Sequence, residues 1–268
     1  MQKELCVLSK INIMVLVSGG GTNFQALLEA EKAGRLSPGK IVAAVSDRRE
    51  AFALERAKKQ GIPVYVQEPD KSLTMEERRT ELSDRICIIA RENNVTLIVL
   101  AGFLSILTGK ILRYYTGRII NLHPSLLPKY GGMGMYGERV HRAVLNAGEN
   151  ESGCTVHIVD SGTDTGPILL QRKVPVLRGD TPDALAERIH EQEHIAIVEA
   201  TALMADRILR QMADEAERLR QQAEAEKQEQ KKIENQKKRQ KKKRELQAMK
   251  QALLYQPTDN NPGMQEEK

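Results

Sequence analysis

The sequence predicts an α/β protein built on a doubly wound, mostly parallel sheet, with a charged C-terminal tail that is helical or disordered. Three observations predict it. Short apolar runs at residues 11–17, 41–45, 63–66, 97–100 and 119–123 alternate with stretches of helical spacing, the pattern of parallel strands joined by crossover helices. Several runs are apolar at consecutive positions, which suits strands buried on both faces. From about Gln211 the composition turns to Glu, Gln, Lys and Arg, so residues 1–210 read as one folded domain and 211–268 as an appendage.

Taken in order, residues 11–17 are apolar except for Asn12 and make the first strand. Ser18-Gly19-Gly20-Gly21-Thr22-Asn23 follows, and residues 24–33 then have helical spacing. Thr22 and Gln25 stand three apart as a capping box, and Gly34 is placed to stop the helix. A glycine-rich turn that opens a helix presents N–H groups at the positive end of the dipole, which makes a phosphate site; a purely structural tight turn is the competing reading. Phe24 stands where a dinucleotide fingerprint wants glycine, and no Gly-Lys-Ser/Thr is present for a Walker loop, so neither pattern is met. Residues 41–45 make a second strand, 51–60 a helix and 63–66 a third strand. Thr74 and Glu77 form another capping box, opening a helix to about Asn93, and residues 97–100 are a fourth buried strand before a helix near 107–115.

Ile119-Ile120-Asn121-Leu122-His123-Pro124 comes next. Asn121 and His123 are two apart, so in a strand they share one side, and Pro124 and Pro128 end regular structure just beyond them. The pair therefore belongs at the carboxyl end of a strand, where open α/β sheets bind ligands. An amide that donates to a developing oxyanion, beside an imidazole that carries a proton, suits attack on a carbonyl-like carbon; a strand end that simply exposes polar groups is the plainer alternative. The glycine-rich stretch 131–137 reads as a flap over this site or a long connection. Residues 155–159 alternate as a strand through His157, 160–167 form an acidic turn-rich loop, and 168–176 contain a further strand. Thr181-Pro182 caps a long helix expected to reach Arg210. His141 is expected at the surface, and His157 is expected to be a satisfied strand histidine.

Taken together, Ser-Gly-Gly-Gly-Thr-Asn at 18–23, Ala-Gly-Phe-Leu-Ser-Ile-Leu at 101–107, Asn-Leu-His-Pro-Ser-Leu-Leu-Pro-Lys-Tyr at 121–130 and Asp-Thr-Gly-Pro at 164–167 resemble the phosphoribosylglycinamide formyltransferase family, in order, from about Ile11 to Arg210. The resemblance implies a Rossmann-like formyltransferase topology and transfer of a formyl group from 10-formyltetrahydrofolate to the amine of glycinamide ribonucleotide, a step of purine synthesis. It further implies that Gly21, Thr22 and Asn23 hold the ribose phosphate and that His190 and Glu193 meet the glycinamide end. Leu104, Ser105, Ile106, Leu107, Asn121, Asp160 and Asp164 would hold the folate, largely through backbone groups. Asn121, His123 and Asp164 match the catalytic trio: Asn121 for the oxyanion, His123 as proton donor, and Asp164 as the carboxylate that favours the charged imidazole. Met75 and Ser105 stand where many members of the family carry arginine, which implies a weaker hold on the folate's glutamate tail.

Other classes are weighed on the same residues. His190-Glu191-Gln192-Glu193-His194 also satisfies a zinc-protease pattern, with Glu215 downstream, but the phosphate loop and the Asn121 strand would then serve no purpose, so no metal is expected. A folate-dependent hydrolase of this superfamily would carry a further domain before Ile11, and a methionyl-tRNA formyltransferase a second domain after the catalytic one. The net charge of +5 lies largely in the tail, where the basic run 227–244 is an alternative site for RNA or another polyanion; no aromatic residues interleave it. Ile208, Met212, Leu219 and Ala223 suggest a short apolar stripe continuing the preceding helix, then a solvated helix fraying into disorder, with 257–268 disordered. The three cysteines, Cys6, Cys87 and Cys154, have no metal-ligand spacing and suit a reducing compartment. With no apolar run of about 20 residues and no secretory signal, a cytoplasmic location without membrane contact is expected.

Overall fold

The computed structural model describes residues 10–254, and the expectations for Cys6 and for residues 257–268 lie outside them. The chain divides into two units, Met1–Ala213 and Asp214–Lys268. In the first, the described elements are β1 (Ile11–Val17), α1 (Thr22–Lys32), β2 (Gly39–Ser46), α2 (Phe52–Lys59), β3 (Val64–Val66), α3 (Met75–Glu92), β4 (Leu97–Leu100), α4 (Lys110–Tyr114), β5 (Ile119–His123), α5 (Glu138–Asn146), β6 (Glu151–Ile158), β7 (Ile168–Pro175) and the start of α6 (Pro182–Leu254).

The strands form one seven-stranded sheet in the order β3-β2-β1-β4-β5-β6-β7. The first five are parallel; β6 pairs antiparallel with β5, and β7 antiparallel with β6. The winding reverses between β1 and β4, and beyond the carboxyl ends of those two strands a crevice opens. Both faces are covered. Ile13, Val15 and Val17 pack with Phe24 and Leu27 of α1 and Leu185, Ile189 and Met204 of α6; Met14 and Leu16 pack with Leu82 and Ile86 of α3 and Ile111 of α4. Each large side chain buried this way contributes about 1.5–3 kcal/mol, which explains why β1 is apolar on both of its faces.

Three expectations are corrected by these contacts. Thr22 does not cap α1: it is already helical, the N-cap is Gly21 at φ 71°, and no side chain bonds the helix start. A capping residue needs extended backbone outside the helix, which Thr74 has; its hydroxyl accepts from the Glu77 N–H while the Glu77 carboxylate accepts from the Thr74 N–H. His141 is not at the surface, because α5 turns it inward with Val140 and Val144. The helix that follows Pro182 reaches Arg210 and runs on to Leu254, but the apolar stripe is shorter than expected. Its inward face stays buried through Ile208, Met212 is half-buried, and the stripe expected to continue stops there, with Leu219 and Ala223 exposed.

In the second unit α6 remains helical to Leu254, with the side chains described there almost all exposed. Glu, Gln, Lys and Arg are good helix formers, and pairs one turn apart such as Glu234–Lys238 at 2.7 Å add to that propensity. Helix therefore persists where fraying was expected, without an apolar face to bury. No helix among the described residues is long and apolar enough to cross a membrane.

Candidate active site

The carboxyl ends of β1, β4 and β5 open onto a cavity of about 790 Å³, a volume in the range of small-molecule sites. Its walls are the turn after β1, the start of α3 and the loop before it, the segment after β4, the end of β5, α5 and the loop before it, the loop after β6 and one turn of α6.

At the end of β5, Asn121 and His123 point into the cavity from the same side, as their spacing requires. The antiparallel register sets His157 of β6 directly across from Asn121. The Asn121 Nδ2 lies 3.1 Å from the His157 Nε2 and 3.4 Å from the Asp164 Oδ1, and the His157 Nδ1 lies 3.0 Å from the Ile158 carbonyl. A carbonyl only accepts, so Nδ1 carries the proton of the neutral ring and Nε2 accepts from the amide of Asn121. The His157 Nε2 also stands 3.5 Å from the Asp164 Oδ1; the shorter contact to Asn121 is the hydrogen bond, and the longer one becomes a donor only if the ring gains a proton. His157 is thus satisfied, as expected of a strand histidine, but by the groups of the site itself.

His123 donates its Nε2 proton to the Tyr130 carbonyl at 2.8 Å, which leaves Nδ1 facing the Asp164 Oδ2 at 3.5 Å. A proton on Nδ1 would be held electrostatically by that carboxylate, so Nδ1 is the nitrogen free to exchange one. Asp164 accepts the Gly132 N–H at 3.0 Å and sits at φ 59°, a left-handed conformation uncommon outside glycine, asparagine and aspartate. Burial pushes its carboxyl pKa up, but the adjacent His157 ring, the charge of His123 and the Gly132 N–H outweigh it and hold the pKa below the usual carboxylate value. The glycine-rich loop, which the sequence leaves without a catalytic part, therefore supplies a backbone donor to the central carboxylate.

At the other end of the cavity lies the turn after β1. The first bond of α1 runs from the Gln25 N–H to the Gly21 carbonyl, so the N–H groups of Thr22, Asn23 and Phe24 precede it with no side-chain cap. The missing cap leaves these donors and the positive end of the helix dipole open to an anion. Asn23 also donates to the Glu193 carboxylate at 3.1 Å, and His190 lies 3.7 Å from the same oxygen; both residues of α6 line the cavity. A Cβ on Gly21 would meet the Ala53 Cβ at 2.5 Å and its Cα at 2.9 Å. Gly21→Ala is thus expected to lower the melting temperature by about 2–8 °C, from the left-handed backbone cost alone, measured by circular dichroism.

The remaining predicted positions divide. Leu104, Ser105, Ile106 and Leu107 line the cavity as a segment in neither strand nor helix. Its ends are pinned where the Leu104 N–H donates to the Ser18 hydroxyl and the Thr108 N–H to the Ser83 hydroxyl. Asp160 does not line the cavity. Its carboxylate accepts from the Gly162 N–H and the Thr165 hydroxyl and braces the loop that carries Asp164. Ser105 donates to Asp47 at 2.6 Å, and Met75 lines the cavity with Arg78 and Arg79 of the same helix. Positive charge thus reaches this wall from neighbouring positions despite Met75 and Ser105. Among the described residues no three side chains of metal-binding type converge. His141, His157 and Gly132 are the residues missed from sequence; the alternation of β6 pointed to one face for His157, but no local signal named its partner.

The sheet with this reversal and the cavity beyond it suit a transferase of the formyl transferase class: the family of that name matches residues 11–201, and the chain belongs to it. Within it the similar proteins include phosphoribosylglycinamide formyltransferases. The one from Escherichia coli K12 is 40% identical over 184 residues, covering 69% of this chain and 82% of that protein. The trifunctional purine biosynthetic protein adenosine-3 of Chironomus tentans is 40% identical over 209 residues, 78% of this chain but only 15% of that much longer protein. Among solved structures, glycinamide ribonucleotide transformylase 1 from Symbiobacterium toebii superposes with a TM-score of 0.66 at 38% identity, covering 74% of this chain and 89% of that one.

Proposed function

We propose that this chain transfers the formyl group of 10-formyltetrahydrofolate to the amine of glycinamide ribonucleotide, a step of purine synthesis. The observation that carries the reading is the meeting of Asn121, His123 and Asp164 on one wall of a cavity whose far end is an uncapped helix N-terminus. That arrangement matches an acceptor with an anionic end and a nucleophilic end.

The amine nitrogen attacks the formyl carbon, forming the new C–N bond and a tetrahedral oxyanion. Asn121 donates to that oxygen without itself titrating, and the bond to His157 holds its amide in place. His123 gives its Nδ1 proton to N10 of the folate as the C–N10 bond breaks, and takes up the proton that the amine loses, so the ring ends as it began. Asp164 stabilises the charged ring between those transfers. Gly21, Thr22 and Asn23 take the phosphate, Glu193 faces the ammonium form of the acceptor with His190 beside it, and the segment Leu104–Ser105–Ile106–Leu107 with the Asp164 loop takes the pterin through backbone groups. No step needs a metal.

The test compares glycinamide ribonucleotide with water as acceptor for 10-formyltetrahydrofolate. Ribonucleotide-dependent release of tetrahydrofolate supports the transfer, whereas equal release without it assigns a hydrolase. Free, buried Cys87 and Cys154 fit a reducing, cytoplasmic setting. We take residues 1–210 as the catalytic domain. Deleting 211–268 is expected to leave kcat within about threefold of the full chain, since the proposed chemistry uses no residue beyond Glu193. Polyanion binding through 227–244 is the lesser reading, and salt-sensitive RNA retention lost in the same deletion would support it.

A further inference from the structure

His141 takes no part in the contacts above. It is only 3% exposed, on the inward face of α5 between Val140 and Val144. It nevertheless lines the cavity, and its Nδ1 is buried with no hydrogen-bond partner among the described residues. A neutral imidazole always carries one donor and one acceptor, and leaving either unmade when buried costs the full desolvation of that group. Such a ring in a cavity wall is completed by what enters the cavity. Its surroundings indicate which molecule. The charges of His190, Asp183, Glu138 and His123 all act on it, which sets it on the side of the cavity shared by the proton-exchanging ring and the helix of Glu193. Burial, with the charge of His190, outweighs Asp183 and Glu138 and holds its pKa below the ordinary histidine value, so the ring is neutral near pH 7. A neutral ring suits an uncharged polar group; a phosphate is better served by the open turn at Gly21.

We propose that His141 is a binding residue for the acceptor substrate, hydrogen-bonding its uncharged middle, the carboxamide or a ribose hydroxyl between the phosphate and the reacting amine. This rests on the reading of the site as a glycinamide ribonucleotide formyltransferase. It assigns His141 to the acceptor alone, the folate being read as bound along Leu104 to Leu107.

The test is calorimetric titration of the full chain with glycinamide ribonucleotide and, separately, with tetrahydrofolate. His141→Phe keeps the ring volume and removes both hydrogen-bonding atoms. It is expected to weaken ribonucleotide binding by about tenfold while tetrahydrofolate affinity stays within about twofold. In turnover the KM for the ribonucleotide rises and kcat is little changed. His141→Gln, whose amide restores a donor and an acceptor, is expected to fall between Phe and wild type. Should the phenylalanine ring not fit, His141→Ala removes the same atoms without steric demand and carries the same expectation. Equal losses for both ligands, or unchanged ribonucleotide affinity in the folded variants, would overturn the inference while leaving the functional reading intact. A wild-type chain that does not bind glycinamide ribonucleotide overturns both.

Discussion

Replacing Asn121 with alanine is expected to lower kcat by about 10²–10³, the usual consequence of removing one preorganised oxyanion donor. The KM values should change little, because the bond to the oxygen strengthens only as charge develops on it. Two features of the structure favour so large an effect. Asn121 stands at the end of a strand hydrogen-bonded on both sides, to β4 and to β6, and its amide is already held by the His157 Nε2 at 3.1 Å. The donor is therefore oriented before substrate arrives. Steady-state kinetics with both substrates saturating, on protein shown to be folded by circular dichroism, measures it. A drop of less than about tenfold would remove Asn121 from the oxyanion role.

Asp164→Asn is expected to cost at least about 10² in kcat and to leave the fold unchanged. Asparagine is the substitution to make, because the residue sits at φ 59°, where asparagine is tolerated and alanine would add backbone cost. The amide has the shape of the carboxylate but no charge to hold the proton on the His123 Nδ1. The same variant should change stability in acid. A carboxyl whose folded pKa lies below its ordinary value stabilises the native state fully above that value, and the contribution is lost as pH falls through the folded pKa. Denaturant unfolding across this range should therefore show wild type losing stability below about pH 4, and Asp164→Asn, already without the contribution, losing less of it there.

How much of this was legible in the chain is clearest at β5. Asn121 and His123 share a face because the strand period is two, and the prolines after them set the strand end, so both placements follow from spacing alone. Asp164 was named only through a resemblance, since nothing within its loop says that the loop folds back over β5. His141 was misjudged, and the partners of His157 went unnamed, for the same reason. Each lies in a short segment whose own pattern says which residues share a face, but not which element that face meets. The glycine-rich turn was read with one wrong detail: a capping threonine was expected, whereas a left-handed Gly21 leaves the helix start open.

Sequence alone determined the alternation of strands and helices, the two-faced burial of β1, the glycine-rich turn after it and the charged character of the chain beyond Gln211, because each follows from local periodicity or composition. Only the tertiary structure decided that the loop from β6 brings Asp164 against His123, that Gly132 donates to it, and that an imidazole on α5 lines the cavity while its Nδ1 is buried without a partner. Those are contacts between elements distant along the chain, fixed by how the sheet winds and where its direction reverses, and no local pattern encodes them.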